Sequence, residues 1–326
     1  MVFYITFLKA LAACLITNSH YTGVYPTDMI ANGGLLGDVL FFAVSGYCLY
    51  NIKLSFPRWY GKRLYRIYPP VIIITLIYFV LGFYPINIQN AFQWFIYPTH
   101  YHFVASILVV YIVYYIVFKI QVLRTHIPAV MLVVAIAWLI VYLLFFDKSV
   151  YKIDNVYSPM IWFLFFEAML LGAYFKQNDS NYRNRFSIWM FIGLVITFVA
   201  YFASKLLFTK KPEIAFLQPI NQVLLFVLLY FFLRLFSGLD SKLEKMPKWL
   251  KTIVNFIASI TLEIYVVQYV IEEQLAQVVQ FPMNWLLLTV TILLAAIALH
   301  WICKGFYYIC DKLQAFVSSK IKKGNQ

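Results

Sequence analysis

Ten apolar runs, each nearly free of charge, follow one another along this chain at about 2–20, 35–52, 69–84, 102–118, 127–146, 159–175, 187–207, 217–236, 253–272 and 284–303. A helix of about 20 residues, rising about 1.5 Å per residue, crosses the roughly 30 Å hydrocarbon core of a bilayer. In lipid the backbone polar groups must be satisfied within the spanning structure, and a helix does this residue by residue. The pattern predicts an all-α polytopic membrane helix bundle of about ten transmembrane helices, with residues 1–326 forming a single domain. Only 12% of residues are charged and 63% are hydrophobic, whereas a soluble domain carries about 25% charge. The missing polar surface must therefore face lipid. The net charge of +13 would suit nucleic acid, but there is no soluble basic domain to bind it, so nucleic acid is set aside as a partner.

The basic residues also assign sides. With the N-terminus inside, twenty of the 26 Lys and Arg fall in inner loops or the C-terminal tail. Five (Lys148, Lys152, Lys205, Lys210 and Lys211) fall outside, and Lys9 lies within the first run. This bias predicts cytoplasmic termini at both ends and membrane lipids as constant partners. No positive segment precedes the first apolar run, so that run is expected to stay as a span. Cys14, Cys48, Cys303 and Cys310 form no Cys-x-x-Cys pair and are expected as packed or lipid-facing thiols, with no disulfide and no metal. The inner loop near 237–252 reads as a surface helix, and the outer loop 18–34, with Gly23, Pro26, Gly33 and Gly34, as a flexible cavity mouth.

Several residues could carry chemistry. Lys9 and His20 are eleven residues apart, which brings them to one helix face about 16 Å apart along the axis. His20 suits a general base because its ordinary pKa lies near neutrality. In the ledge from Arg58 to Pro70, Arg63 and Arg66 share a helix face, with Arg58 and Lys62 nearby. That cluster fits either anionic lipid or the phosphates of a cofactor. Tyr68-Pro69-Pro70 is expected to open the next apolar run. Glu167 and Glu263 are costly inside a membrane and call for interior cationic partners such as Lys9 or an arginine. His102, close to His100, is a candidate polar contact for a sugar; His126 and His300 stand out in no motif. Ser45 is a conceivable nucleophile or a small packing residue beside Gly46.

The stretch carrying Phe41, Phe42, Ser45, Gly46, Lys62, Arg63, Arg66, Ile67, Tyr68 and Pro69 resembles the acyltransferase family 3 integral membrane proteins, most strongly over residues 1–70. The resemblance implies a bacterial cytoplasmic (plasma) membrane enzyme. It would transfer an O-acyl group, typically acetyl, from cytosolic acetyl-CoA or another acyl-CoA to a hydroxyl of a polysaccharide or its lipid-linked sugar precursor. It further implies His20 as the essential histidine and Lys9 in place of the family's arginine. Arg63 and Arg66, with Arg58 and Lys62, would hold the donor phosphates. Gln268 stands where the family often has a histidine. The basic ledge is inner while His20 is near the outer end of its run. Either the pantetheine arm reaches deep, His20 lies deeper, or an acyl-enzyme bridges the gap. The alternative reading is a transporter or flippase of glycan intermediates, which would need no coenzyme A. Oligomeric state has no signature in the sequence.

Overall fold

The computed structural model describes residues 2–324, with side chains through Gln314, and all regular structure among these is helical. The first half contains α1 (Phe3–Ser19), α2 (Gly34–Leu49), α3 (Phe56–Val80), α4 (His102–Lys119), the short α5 (Gln121–Thr125), α6 (Ile127–Phe145) and α7 (Pro159–Gln177). After the short α8 (Asp179–Tyr182) come α9 (Ile188–Lys210), α10 (Pro219–Gly238) and the short α11 (Asp240–Glu244). The chain ends with α12 (Lys248–Ser259), α13 (Thr261–Leu275) and α14 (Met283–Gly324). Among the described residues seven helices are long and apolar enough to cross a membrane, or eight if the bent pair α12–α13 counts as one span. The first two apolar runs form α1 and α2, which are shorter at 17 and 16 residues. Such helices make this a multi-pass membrane protein.

Glycine determines how the bundle closes. A Cβ on Gly46 would lie 1.9 Å from the Met169 carbonyl oxygen, and one on Gly172 would lie 1.8 Å from that of Ala43. The backbones of α2 and α7 therefore touch, as small residues allow where lipid supplies no hydrophobic drive. Phe42 and Phe165 stack at 4.3 Å beside this crossing. Helix α7 is mostly buried, whereas α6 and α9 expose Leu132, Leu144, Ile196 and Val199 along apolar outer faces. An apolar surface of this kind belongs against acyl chains.

Three details differ from the sequence expectation. Pro69 and Pro70 do not start a helix; they lie inside α3, which begins at Phe56. Pro69 offers no N–H to the Tyr65 carbonyl, four residues back, and Tyr307 Oη donates to that oxygen at 3.3 Å instead. The basic ledge is therefore the first turns of a helix. The run near 253–272 is broken: α12 and α13 meet at 71° about Ile260. Lys248 and Lys251 on α12 favour water, while Trp249, Ile253 and Phe256 on the same helix are exposed apolar groups, the composition of a surface helix. The loop 18–34 is tied down and not loose. Asn18 Nδ2 donates to the carbonyls of Ile30 and Asn32 at 2.8 and 3.0 Å, and Tyr25 Oη donates to Asn18 Oδ1 at 2.6 Å. Gly23 and Gly33 provide its positive-φ corners at 77° and 99°.

The other end of α1 is also fixed. The buried Asp240 carboxylate accepts from the Tyr4 N–H at 2.8 Å, one of the donors that a helix start leaves unpaired, and from Arg183 Nε at 2.7 Å. Helix α1, which carries Lys9 and ends at the capping residue His20, is thus held at both ends.

Candidate active site

Two cavities lie at different heights along α1. The first is a chamber of about 540 Å³ walled by α1, α2, α3, α4, α13 and α14. Lys9, Arg63, Arg66 and Lys304 line it, along with Ser45, Ser259, Thr261 and the Glu263–His300 pair. The helical start of α3 explains its basic wall. Arg63, Arg66, Ile67 and Pro70 follow the i, i+3, i+4, i+7 pattern of one face, and all four line the chamber. Arg58 and Lys62 turn about 140° and 100° away from Arg63 and are exposed outside it. Arg63 packs its guanidinium 5.3 Å from the Trp59 ring, and its buried Nε has no hydrogen-bond partner. A guanidinium held on the chamber wall can still offer its remaining N–H groups to an anionic oxygen.

Lys9 faces this chamber, with its ammonium 5.9 Å from the Phe41 ring. It does not pair with Glu263. That carboxylate instead meets His300 Nδ1 at 2.9 Å, across from α13 to α14. The sequence expectation of a Lys9 or arginine partner is thus corrected, and the histidine that stood in no motif supplies the contact. The reason is geometric: α13 and α14 pack side by side, which no spacing along the chain discloses. Ser45 is on the chamber wall and not in the helix crossing, which Gly46 makes.

The second cavity is an open vestibule of about 610 Å³ lined by Thr22, Tyr269, Glu272, Glu273 and neighbouring residues of the α13 end. His20 stands beside it. Its ring is edge-on to Tyr269 at 5.1 Å and its Nδ1 is 3.7 Å from Glu272 Oε2. Tyr269 is the centre of an aromatic cluster: its hydroxyl donates to Tyr265 Oη at 2.7 Å, and its ring meets those of His100 and Tyr101, each at 5.6 Å. His102 reaches the same cluster through Tyr265, at 6.4 Å. The buried Asp38 carboxylate lies within electrostatic reach of both Tyr265 and Tyr269.

Adjoining the chamber is a throat of only about 20 Å³. Phe41, Phe103, Thr261 and Leu262 line both the throat and the chamber. Tyr265 closes the throat toward Tyr269 and His20. Lys9 and His20 therefore occupy different compartments: the throat shares wall residues with the chamber and none with the vestibule.

A basic chamber with an apolar throat, and a histidine beside a carboxylate beyond Tyr265, suit two substrates of unlike polarity. The sequence profile of acyltransferase family 3, described as an acyltransferase domain, matches residues 2–304. The chain belongs to acyltransferase family 3. It is accordingly an acyltransferase enzyme. No curated protein and no solved structure matched it. The matched segment of this family 3 acyltransferase takes in the whole vestibule and every chamber residue except Tyr307.

Sequence reasoning missed Glu272, Asp38, Tyr265 and Tyr269. Asp38 was visible as a carboxylate inside the second apolar run, and Glu272-Glu273 as a charged pair at the end of the ninth. The two tyrosines carried no signal among 26. Glu167 belongs to neither cavity and has no ion pair or hydrogen bond among the described residues, so its expected cationic partner is also corrected.

Proposed function

We propose that this acyltransferase moves an acyl group, acetyl in the simplest case, from acyl-CoA in the chamber to a hydroxyl of a cell-surface polysaccharide or its lipid-linked precursor in the vestibule. The single observation that carries this reading is a four-cation chamber whose throat reaches Tyr265, the hydrogen-bond partner of the Tyr269 that packs on His20. Arg63 and Arg66 would bind phosphate oxygens of the donor, with Lys9 adding positive charge deeper in the chamber. The pantetheine arm would extend through the throat once the Phe41 and Phe103 side chains turn aside. In the proposed reaction the acceptor oxygen attacks the thioester carbonyl carbon and the carbon–sulfur bond breaks. His20 takes the hydroxyl proton and passes it to the departing thiolate, leaving an ester and a free thiol. Glu272 would hold the imidazole in orientation.

The chamber would open to the cytosol and the vestibule to the outer face of a bacterial plasma membrane, as the loop charges suggest. Polar and aromatic groups of the vestibule wall, Tyr269 and Gln274 among them, suit a sugar. A glycan transporter fits less well, because a throat of about 20 Å³ holds little more than one water and would have to widen for a sugar ring. The deciding experiment is acetyl-CoA binding to detergent-purified protein, wild type against Arg63→Ala/Arg66→Ala. Saturable binding lost in the double variant supports the donor site. Absence of binding at millimolar donor would make the arginines lipid anchors and return the transporter reading to the front.

A further inference from the structure

Helix α12 (Lys248–Ser259) presents three faces where a helix on a wet protein surface needs two, one packed and one polar. At about 100° per residue, Trp249, Ile253 and Phe256 fall within about 60° of one another. All three are exposed, Trp249 at 65%. Val254, Ile257 and Ala258 lie roughly 120° further round and pack against Phe3, Phe7 and Ala10 of α1. Lys248, Thr252 and Asn255, all exposed, occupy the remaining third. The apolar face without a protein partner calls for acyl chains, and the polar face calls for headgroups and water.

The bend gives the orientation. Helix α13 packs along α1, α3 and α14 and so follows the bundle, whereas α12 turns 71° away from it beside the first turns of α1. A helix that crosses the bundle direction, with one apolar and one basic edge, has the disposition of a membrane-interface helix. Tryptophan at the apolar edge suits that level, because its ring is apolar and its N–H is polar.

Charge then selects the headgroup. The segment from Asp240 to Lys251 holds four lysines and two acids. Both acids are engaged by Arg183, at 2.7 Å from Asp240 and 3.7 Å from Glu244. Lys242 lies over the Phe186 ring at 5.1 Å, and Lys251 Nζ donates to the Glu244 carbonyl at 2.9 Å. Lys245 and Lys248 are exposed and make no ion pair, hydrogen bond or ring contact among the described residues. The lysines thus keep their charge for something outside the chain. A zwitterionic headgroup offers as much positive charge as negative, whereas an anionic one attracts each lysine near the surface. We propose that α12 and the turn before it form a docking surface for anionic phospholipid of the phosphatidylglycerol type, at the end of the bundle where α1 begins. Lys245 and Lys248 meet the phosphate, Lys242 and Lys251 add to the field, and Trp249, Ile253 and Phe256 rest on the acyl chains. The inference is independent of the donor and acceptor assignments above.

The test is tryptophan quenching in the full-length protein reconstituted into phosphatidylcholine vesicles that contain a minor share of brominated lipid, either phosphatidylglycerol or phosphatidylcholine. The chain has eight tryptophans, so the share of Trp249 is the signal that Trp249→Phe removes from the same background. That share should be quenched at about tenfold lower content of brominated phosphatidylglycerol than of brominated phosphatidylcholine, the order of gain expected from two lysines near an anionic surface. Lys245→Gln/Lys248→Gln should abolish this preference and leave quenching by phosphatidylcholine in place. Both side chains are exposed and have no contact to lose, so the variant should elute as the same folded species as wild type. Added salt should also shrink the preference in wild type, because exposed charges are screened. Equal quenching by the two lipids would overturn the proposal and leave α12 a helix that merely touches lipid. A preference that survives the lysine substitutions would overturn it by placing the anionic lipid elsewhere. No quenching of Trp249 by either lipid would overturn it as well, since the apolar face would then be covered by protein.

Discussion

The chamber and the vestibule share α13 in their walls yet carry opposite charge. The chamber collects Lys9, Arg63, Arg66 and Lys304 around a single ion pair, Glu263–His300. The vestibule collects Glu272 and Glu273 and has no lysine or arginine in its wall. Along α1 the two are separated by the rise from Lys9 to His20, about 16 Å. The difference teaches that a basic residue and a histidine on one helix face need not act on the same group. One end suits an anionic carrier and the other a neutral hydroxyl, and the aromatic throat keeps the two environments apart. The throat is narrow because Phe41 of α2, Phe103 of α4 and Tyr265 of α13 fill it with their rings.

This contrast breaks most sharply at His20. His20→Ala should lower acyl transfer by about 10²- to 10⁴-fold, the usual share of a general base, while leaving acetyl-CoA affinity unchanged. Transfer and binding measured on the same preparation check this, and undiminished transfer would remove His20 from the chemistry. At the other end, Arg63→Ala/Arg66→Ala should weaken donor binding by about 10- to 100-fold, since hydrogen bonds to charged groups contribute about 1.5–3 kcal/mol each. The acceptor KM should not move; if it does, the compartments are less separate than the throat suggests.

Finer substitutions sharpen the vestibule alone. Glu272→Gln should lower kcat about fivefold, about 1 kcal/mol for a largely buried carboxylate 3.7 Å from His20, with donor affinity intact. A change in donor affinity instead would show that Glu272 acts on the fold and not on the histidine. Tyr269→Phe removes the hydroxyl that donates to Tyr265 and should cost about threefold in turnover, within the net worth of one hydrogen bond. Steady-state rates for the two variants, taken side by side, rank their contributions.

Much was legible in the chain itself. Every apolar run became helix, because a run of that length and composition has no other way to satisfy its backbone in lipid. Arg63 and Arg66 were readable as one face, because i and i+3 are neighbours in any helix. The failures share a cause as well. Pro69-Pro70 looked like a restart, but Tyr307, far along the chain, supplies the donor that lets α3 continue through it. His300 looked idle until α14 brought it to Glu263, and Glu167 looked like half of an ion pair until the bundle gave it only a glutamine, an indole and apolar walls. Local rules determined which segments are helical, which face of each is charged and that the whole lies in a membrane. Partner choice across helices was decided only by the packing. It depends on crossings such as the glycine contact of α2 with α7, where the absence of two Cβ atoms sets how the helices meet and therefore which side chains share a cavity.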